Sequence, residues 1–516
     1  MLFNSIGFVF GFLPFVVAGY YLLALTRLAA LRRPFMIVAT LAFYALGGPQ
    51  FVPLLLVSVA LNYLAAVCIA RVRENWRFAA MAAAVIANVA VLGYFKYIEF
   101  VLRTLNTLFD SGFTLEKVIF PLGISFFTFQ QIGYLVDVSR GRFGPGKPLD
   151  YASFVLFFPQ LLAGPIVRYE ETVRQHREPV SCGRIGQSIL IGLVIFSIGL
   201  FKKTVIADTL ALNAAPVFGG AKVGTPLGWL DSWIGALSYT GQVYFDFSGY
   251  SDMAIGAARM FGIVLPLNFH SPLRSTSVVE IWRRWHITLG RWVQSYVFQP
   301  LSLSLTRVAI GSGFGAWGAL GLGVIVPTMI AMMVVGIWHG AGWTFVLFGL
   351  MQGIYMATNE AWAMLRKDAR KQRRKAGLPA HGWHRPAAQA ATVLAFVVSM
   401  VPFGSANLHS AFAMLAAMAG GGDGLAAHAQ WPLGVVGALA ATAACYIAMF
   451  AVPNTQQIMG RFDPVLEWPR WRALETYRGW CQWRMAARWT IAAAIVFFLG
   501  VAFISRGTSA FIYFNF

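Results

Sequence analysis

Charge is what this sequence has least of. Only 12% of its 516 residues are Asp, Glu, Lys or Arg, about half the share of an ordinary soluble domain. So little charge excludes a string of soluble domains, and the high apolar content that accompanies it excludes disorder. Acidic residues are the scarcer kind, 20 against 40 Lys and Arg, leaving a net charge of +20. On a soluble chain that balance would point to nucleic acid. Here it reads as topology, because Lys and Arg collect in loops that stay cytoplasmic, and no nucleic-acid partner is expected. Cysteine is rare as well. Cys68, Cys182, Cys445 and Cys481 show no CxxC or other ligand spacing, which predicts neither disulfides nor a metal site. No basic residue precedes the first apolar run, so the charged start of a cleaved signal is missing. A Gly-x-Ser-x-Gly elbow and a Ser-His-Asp order are missing too, which leaves a hydrolase triad unsupported.

What the sequence has in abundance is apolar and aromatic. Hydrophobic residues make up 58% and aromatics 15%, and the mean hydropathy is +0.65. The apolar residues come in long runs rather than short alternating strands, which predicts an all-α polytopic membrane protein with lipid as its surroundings. The runs lie near 7–26, 34–48, 51–70, 78–98, 117–137, 151–166, 187–207, 228–262, 318–337, 343–364, 388–403, 432–452 and 489–504. A full span needs about 20 residues, so the shorter runs are read as tilted, re-entrant or buried, and about 11 true spans are expected. Basic residues crowd 27–33, 71–77, 366–387 and 453–488, whereas 404–431 has none. The first four segments are therefore expected inside and 404–431 is expected as an outer loop, with both termini outside.

In such a chain the informative groups are polar ones in apolar surroundings. Trp338-His339-Gly340-Ala341-Gly342-Trp343 joins two apolar runs. Its glycines predict a broken helix with His339 at membrane depth beside a cavity, or else a structural histidine between Trp338 and Trp343. Residues 280–292 fit one amphipathic helix at about 100° per residue. Trp282, Trp285, Leu289, Trp292 and Tyr296 form one face, and Glu280, Arg284, Thr288, Arg291 and Ser295 the other, with Arg283 beside them. His286 falls at the edge of the Trp face, away from the arginines, which predicts burial. Tyr244 through Asp252 place Asp246, Ser248, Tyr250 and Asp252 inside an apolar run. Its two carboxylates must be paired, with Arg259 or a nearby Arg, or face a cavity, and Gly249 is expected to bend the helix. Gly164-Pro165 reads as a helix end. His176 reads as part of a charged loop, and His270 as a loop residue near the Trp-rich segment.

A neutral histidine in a dry cavity is a good general base near neutral pH, suited to moving an acyl group from a thioester to a hydroxyl. Several segments carry a family resemblance. They are Pro121 through Phe129, Ala163-Gly164-Pro165-Ile166, Tyr244 through Gly256, Asn268-Phe269, Trp282-Arg283-Arg284-Trp285-His286-Ile287-Thr288-Leu289, Trp338-His339-Gly340, Pro453 through Met459 and Phe511 through Phe516. With them the chain resembles the membrane-bound O-acyltransferases, in the branch of the alginate O-acetylation protein. The resemblance covers nearly the whole chain. It implies a single domain over 1–516, with a core at about 117–365 and C-terminal helices over 388–516, as a ring of helices around a funnel. It implies His339 as the catalytic histidine and His286 as the second one, with Asp246, Ser248, Tyr250, Asp252, Asn268, Trp282, Arg283, Arg284, Trp285 and Trp338 as candidates for lining the substrate tunnel. It implies acetyl-CoA or another acyl thioester as donor substrate and no permanently bound cofactor. It also implies a periplasmic acetyltransferase as partner, an exopolysaccharide such as alginate or cellulose as the polymer, and the bacterial inner membrane as location. Gln294-Ser295 depart from the pattern, standing where relatives usually carry a basic-acidic pair. A D-alanyl or lipid acyltransferase stays open within the class. The rival from another class is a transporter or flippase of an acyl or glycan carrier, whose expected inverted repeat is not visible.

Overall fold

The computed structural model describes residues 1–113, 118–375, 384–424, 429–474, 481–504 and 511–512. Among them there is no strand, as expected where each apolar segment must satisfy its own backbone within lipid. Among the described residues seven helices are long and apolar enough to cross a membrane: Gly7–Ala24, Pro49–Arg71, Glu74–Phe109, Cys182–Val223, Ala316–His339, Arg385–Gly404 and Gly434–Ala451. Leu408–Met418 and Ala487–Ala502 are apolar but shorter. Length and composition thus single out seven, where the apolar runs suggested about 11. The difference lies partly in enclosed segments. Ile124–Ser139 is a helix buried at nearly every position. The run 151–166 is divided between Pro148–Val155 and Phe158–Leu161, and Gly164 follows in a turn where a Cβ would meet Gln160 Cα at 2.6 Å. The segment 404–431 is not simply a loop. Asn407 Oδ1 accepts from the Ser410 N–H at 2.8 Å, capping the helix Leu408–Met418, whose Ala, Leu and Met content favours helix. Residues 505–510 and 513–516 lie outside the described residues, and so does most of the expected outer C-terminus.

The chain divides into two compact units, one of Met1–Val205, Phe247–Leu267 and Thr455–Asn515, the other of Ile206–Asp246, Asn268–Asn454 and Phe516. The boundary at 246–247 falls inside one unbroken helix, Trp229–Met260.

In the first unit, Ile185–Phe201 packs against the end of that helix through glycines. A Cβ at Gly256 would lie 2.6 Å from the Gly192 carbonyl, and one at Gly249 would lie 2.7 Å from the Gly199 carbonyl. Gly249 therefore serves close approach, and the helix runs through it without interruption. Ile185–Phe201 also packs against Ala487–Ala502, and in the π-helical turn that follows it, Lys202–Ala207, Thr204 Oγ1 donates to the Gly500 carbonyl at 2.8 Å. Elsewhere in this unit Asp150 accepts from Arg33 at 2.6 Å and Arg177 at 2.5 Å. Burial alone would raise the Asp150 carboxyl, but the hydrogen bonds from Arg177 and Arg33 hold it down to about 2. His176 is not in a loop. It sits on the helix Tyr169–Arg177 and is 6% exposed, with Arg32 donating to its carbonyl at 3.1 Å. Burial, with Arg33 and Arg32 adding to it, pushes the His176 imidazole down to about 3. A small cleft lies beside it, lined by Tyr20, Arg33, Met36, Ser153 and Phe261 among others.

In the second unit Val326–His339 and Trp343–Leu365 form a helical hairpin. Gly336 and Gly349 make it tight, since a Cβ at Gly349 would lie 2.7 Å from the Met332 carbonyl. An apolar core of Val217, Ile234, Val397, Val401, Met414 and Trp431 fills the rest.

Candidate functional site

The hairpin places His339. Its first helix ends at this residue, Gly340 and Gly342 run extended at φ −167° and −170°, and the second helix begins at Trp343. The break is where the glycines indicated. Gly340 is required by space, because a Cβ there would overlap the Phe345 ring. His339 is 3% exposed and lies among aromatic rings. Its centroid is 5.1 Å from Trp338, 5.1 Å from Phe403 and 5.9 Å from Phe348.

His286 reaches the same cluster from another direction, with its ring 5.7 Å from Trp338. It is completely buried, as its place on the Trp face indicated, but the helix around it is not continuous. Val278–Trp282 ends before it and Ile287–Val293 begins after it, and His286 adopts the left-handed region at φ +43°. The cause is backbone pairing with the preceding segment. Ile287 N–H donates to the Asn268 carbonyl and His270 N–H to the Arg284 carbonyl, both at 2.9 Å. The break turns Thr288, expected on the polar face, inward. Thr288 Oγ1 donates to Asn268 Oδ1 at 2.9 Å, and His286 Nδ1 lies 3.1 Å from the same oxygen. Burial pushes the His286 imidazole down to about 3.

The other candidates divide cleanly. Trp282 Nε1 donates to Gln352 Oε1 at 2.9 Å, and Gln352 Nε2 to Ser399 Oγ at 2.6 Å. Trp285 packs edge-on against Phe269 at 5.3 Å and Phe396 at 5.1 Å. Arg284 pairs with Glu280 at 2.9 Å, as their spacing indicated, while Arg283 is exposed. Asp246 is 1% exposed in this unit. Ser248, Tyr250 and Asp252 belong to the first unit. There Tyr250 stacks on Phe3 at 4.8 Å and Phe511 at 4.4 Å. Asp252 is paired, but with a lysine: Lys202 Nζ lies at 2.6 Å, Thr455 Oγ1 donates at 2.6 Å and Gln456 Nε2 at 2.7 Å. Its geometry is that of an anchor. Thr288, Gln352, Phe348 and Phe403 escaped the sequence reading, since nothing local marks an apolar or neutral polar residue as a neighbour of a distant histidine. Gln294 and Ser295 open a π-helical turn, Gln294–Phe298. Among the described residues no group of three or more His, Cys, Asp or Glu is placed to hold a metal.

The arrangement is thus a pair of buried imidazoles joined through Trp338 in an aromatic, water-poor setting. That suits proton transfer to or from a hydroxyl. The sequence profile of the membrane-bound O-acyltransferase family matches residues 143–401. The chain is 39% identical over 390 residues to the peptidoglycan O-acetyltransferase of Helicobacter pylori, covering 70% of this chain and 71% of that one. It is 36% identical over 432 residues to the probable alginate O-acetylase AlgI of Azotobacter vinelandii, covering 82% and 79%. A more distant likeness, 28% over 272 residues and covering 51% and 63%, is to the teichoic acid D-alanyltransferase of Streptococcus thermophilus. With the profile covering half of the chain and both histidines, and with relatives this similar over most of its length, the chain belongs to the membrane-bound O-acyltransferase family.

Proposed function

We propose that this protein moves an acetyl group from a cytosolic thioester, acetyl-CoA, to a hydroxyl reached from the outer side of the bacterial inner membrane, with His339 as general base. The observation that carries this reading is the placement of His339 at a broken helix end, enclosed by aromatic rings. A neutral imidazole there takes the proton of the acceptor hydroxyl. The hydroxyl oxygen attacks the thioester carbonyl, the C–S bond breaks, and the thiolate leaves with the proton returned by the imidazole. Exclusion of water protects the donor from hydrolysis. His286 and the aromatic residues between the two histidines support the site, and the termini face the periplasm.

The hydroxyl belongs to a periplasmic partner acetyltransferase that modifies an exopolysaccharide such as alginate or acetylated cellulose. The likeness to a peptidoglycan O-acetyltransferase favours a second reading of the polymer, in which cell-wall glycan is the final acceptor. Proteoliposomes loaded with radiolabelled acetyl-CoA and presented with either polymer and the partner enzyme test both readings. Label is expected on the glycan with the wild-type protein and not with His339→Ala. Folded His339→Ala that transfers label at the wild-type rate overturns the base assignment. Release of intact carrier without turnover of the thioester would favour a transporter.

A further inference from the structure

We infer that Asn268 is a positioning residue that locks His286 in the tautomer protonated on Nδ1, leaving Nε2 as a permanent hydrogen-bond acceptor in the ring that lies against Trp338. The inference rests on the proposed reading that the His286–Trp338–His339 cluster is the reaction site.

The lock follows from donor counting. Asn268 Oδ1 faces three groups: the Thr288 backbone N–H at 3.4 Å, Thr288 Oγ1 at 2.9 Å and His286 Nδ1 at 3.1 Å. A backbone N–H can only donate, so the amide oxygen, not the NH2, must be turned toward this corner. A ring nitrogen facing that oxygen must carry hydrogen. A neutral imidazole has one N–H, so Nε2 keeps its lone pair. The ring is neutral because it is completely buried and because desolvation, with no charged group contributing, sets its titration. Three neighbouring charged or titratable groups are placed as follows. Arg284 is held by Glu280, His270 Nδ1 by Asn454 Nδ2 at 3.3 Å, and His339 lies beyond Trp338.

The backbone is fixed to match. His286 occupies the left-handed region, costly for a non-glycine residue, and is held there by the bonds to the Asn268 and Arg284 carbonyls and by Gly290 N–H donating to its own carbonyl at 3.0 Å. An amide behind a histidine sets the tautomer without stabilising the imidazolium, unlike the carboxylate of a hydrolase triad. His286 therefore orients a substrate hydroxyl by accepting its hydrogen bond, and proton uptake is left to the other histidine.

Two measurements test this. In purified protein labelled with 15N-histidine, the His286 signals, assigned by their loss in His286→Gln, should show Nδ1 protonated and Nε2 unprotonated at neutral pH. A spectrum with hydrogen on Nε2 overturns the lock whatever the activity. The second measurement uses acetyl transfer from labelled acetyl-CoA. Asn268→Leu should lower kcat about 10- to 100-fold, the usual cost of losing an orienting partner. Asn268→Asp keeps the acceptor oxygen, so kcat should largely recover at high pH. The new carboxylate should move the acidic limb of the rate profile upward by about one pH unit or more, which a merely structural change would not do. An Asn268→Asp profile that superimposes on wild type overturns the positioning role. Loss of activity in His339→Ala is a separate result. If that variant stays active, the reaction-site reading fails while the tautomer measurement still decides the lock.

Discussion

Asp252 shows how a single carboxylate is tolerated in such a setting. It is 3% exposed and accepts from an ammonium, a hydroxyl and an amide at once. Removing one member of a buried pair leaves the other uncompensated. Asp252→Ala is therefore expected to lower stability by about 3–5 kcal/mol, read as the unfolding midpoint in detergent, with Asp252→Asn milder because it keeps two of the three contacts. The sequence announced that this residue needed a partner, but Arg259 donates instead to the Phe462 carbonyl at 3.3 Å. The real partners lie 50 and 203 residues away, beyond the reach of any local pattern. His339 was legible because tryptophans and glycines flank it. Asn268 was visible only through resemblance, since a loop asparagine has no signature of its own. His176 had a signal that went unread: Tyr169, Thr172, Val173 and His176 recur at helical spacing and form the buried face of their helix.

Helices in this protein approach each other through glycine, and that sets what each can bear. Gly249→Val would drive a branched side chain into the Gly199 backbone and is expected to cost about 1–3 kcal/mol or more. Gly93→Ala, with nothing within 4 Å of the added carbon, is expected to be neutral or slightly stabilising. Thermal unfolding of the two variants side by side checks the contrast. The helical reading of 280–292 failed for an instructive reason. Those residues form a good amphipathic wheel and contain no proline, and their one glycine, Gly290, lies beyond the break. The interruption at 283–286 comes from backbone pairing with 268–270, a tertiary contact overriding local propensity.

At the scale of the whole molecule, acid is expected to act in two stages. The folded-state imidazoles of His176 and His286 lie near 3, below the unfolded value of about 6.5. As pH falls below 6.5 the unfolded chain takes up protons that the folded chain refuses, so stability drops by roughly 1.4 kcal/mol per unit for each histidine. Asp150 adds a later loss. Its carboxyl is held at about 2, so its contribution is intact above about 4 and disappears only as pH falls through its folded value. Stability measured between pH 7 and 4.5 should therefore slope downward, and His176→Gln should remove part of that slope while leaving the loss below about pH 3. Composition alone gave the molecular class, and the basic loops gave an expected orientation. The partition into two units had no counterpart in the sequence. The chain passes between them at 205–206, 246–247, 267–268 and 454–455, inside helices or tight loops rather than at a linker.

That interleaving has a consequence for biogenesis. The first unit takes its closing pieces, Thr455 and Gln456 among them, from the far end of the chain, so during synthesis Asp252 must wait on roughly two hundred further residues before its shell is complete. Nascent chains that stall or are clipped before that point would carry an undersolvated acid and an unzipped helix pair. Cellular proteases would meet such products as unfinished proteins, and loss of the C-terminal segment should show first as vanishing abundance in the membrane, ahead of any defect in catalysis.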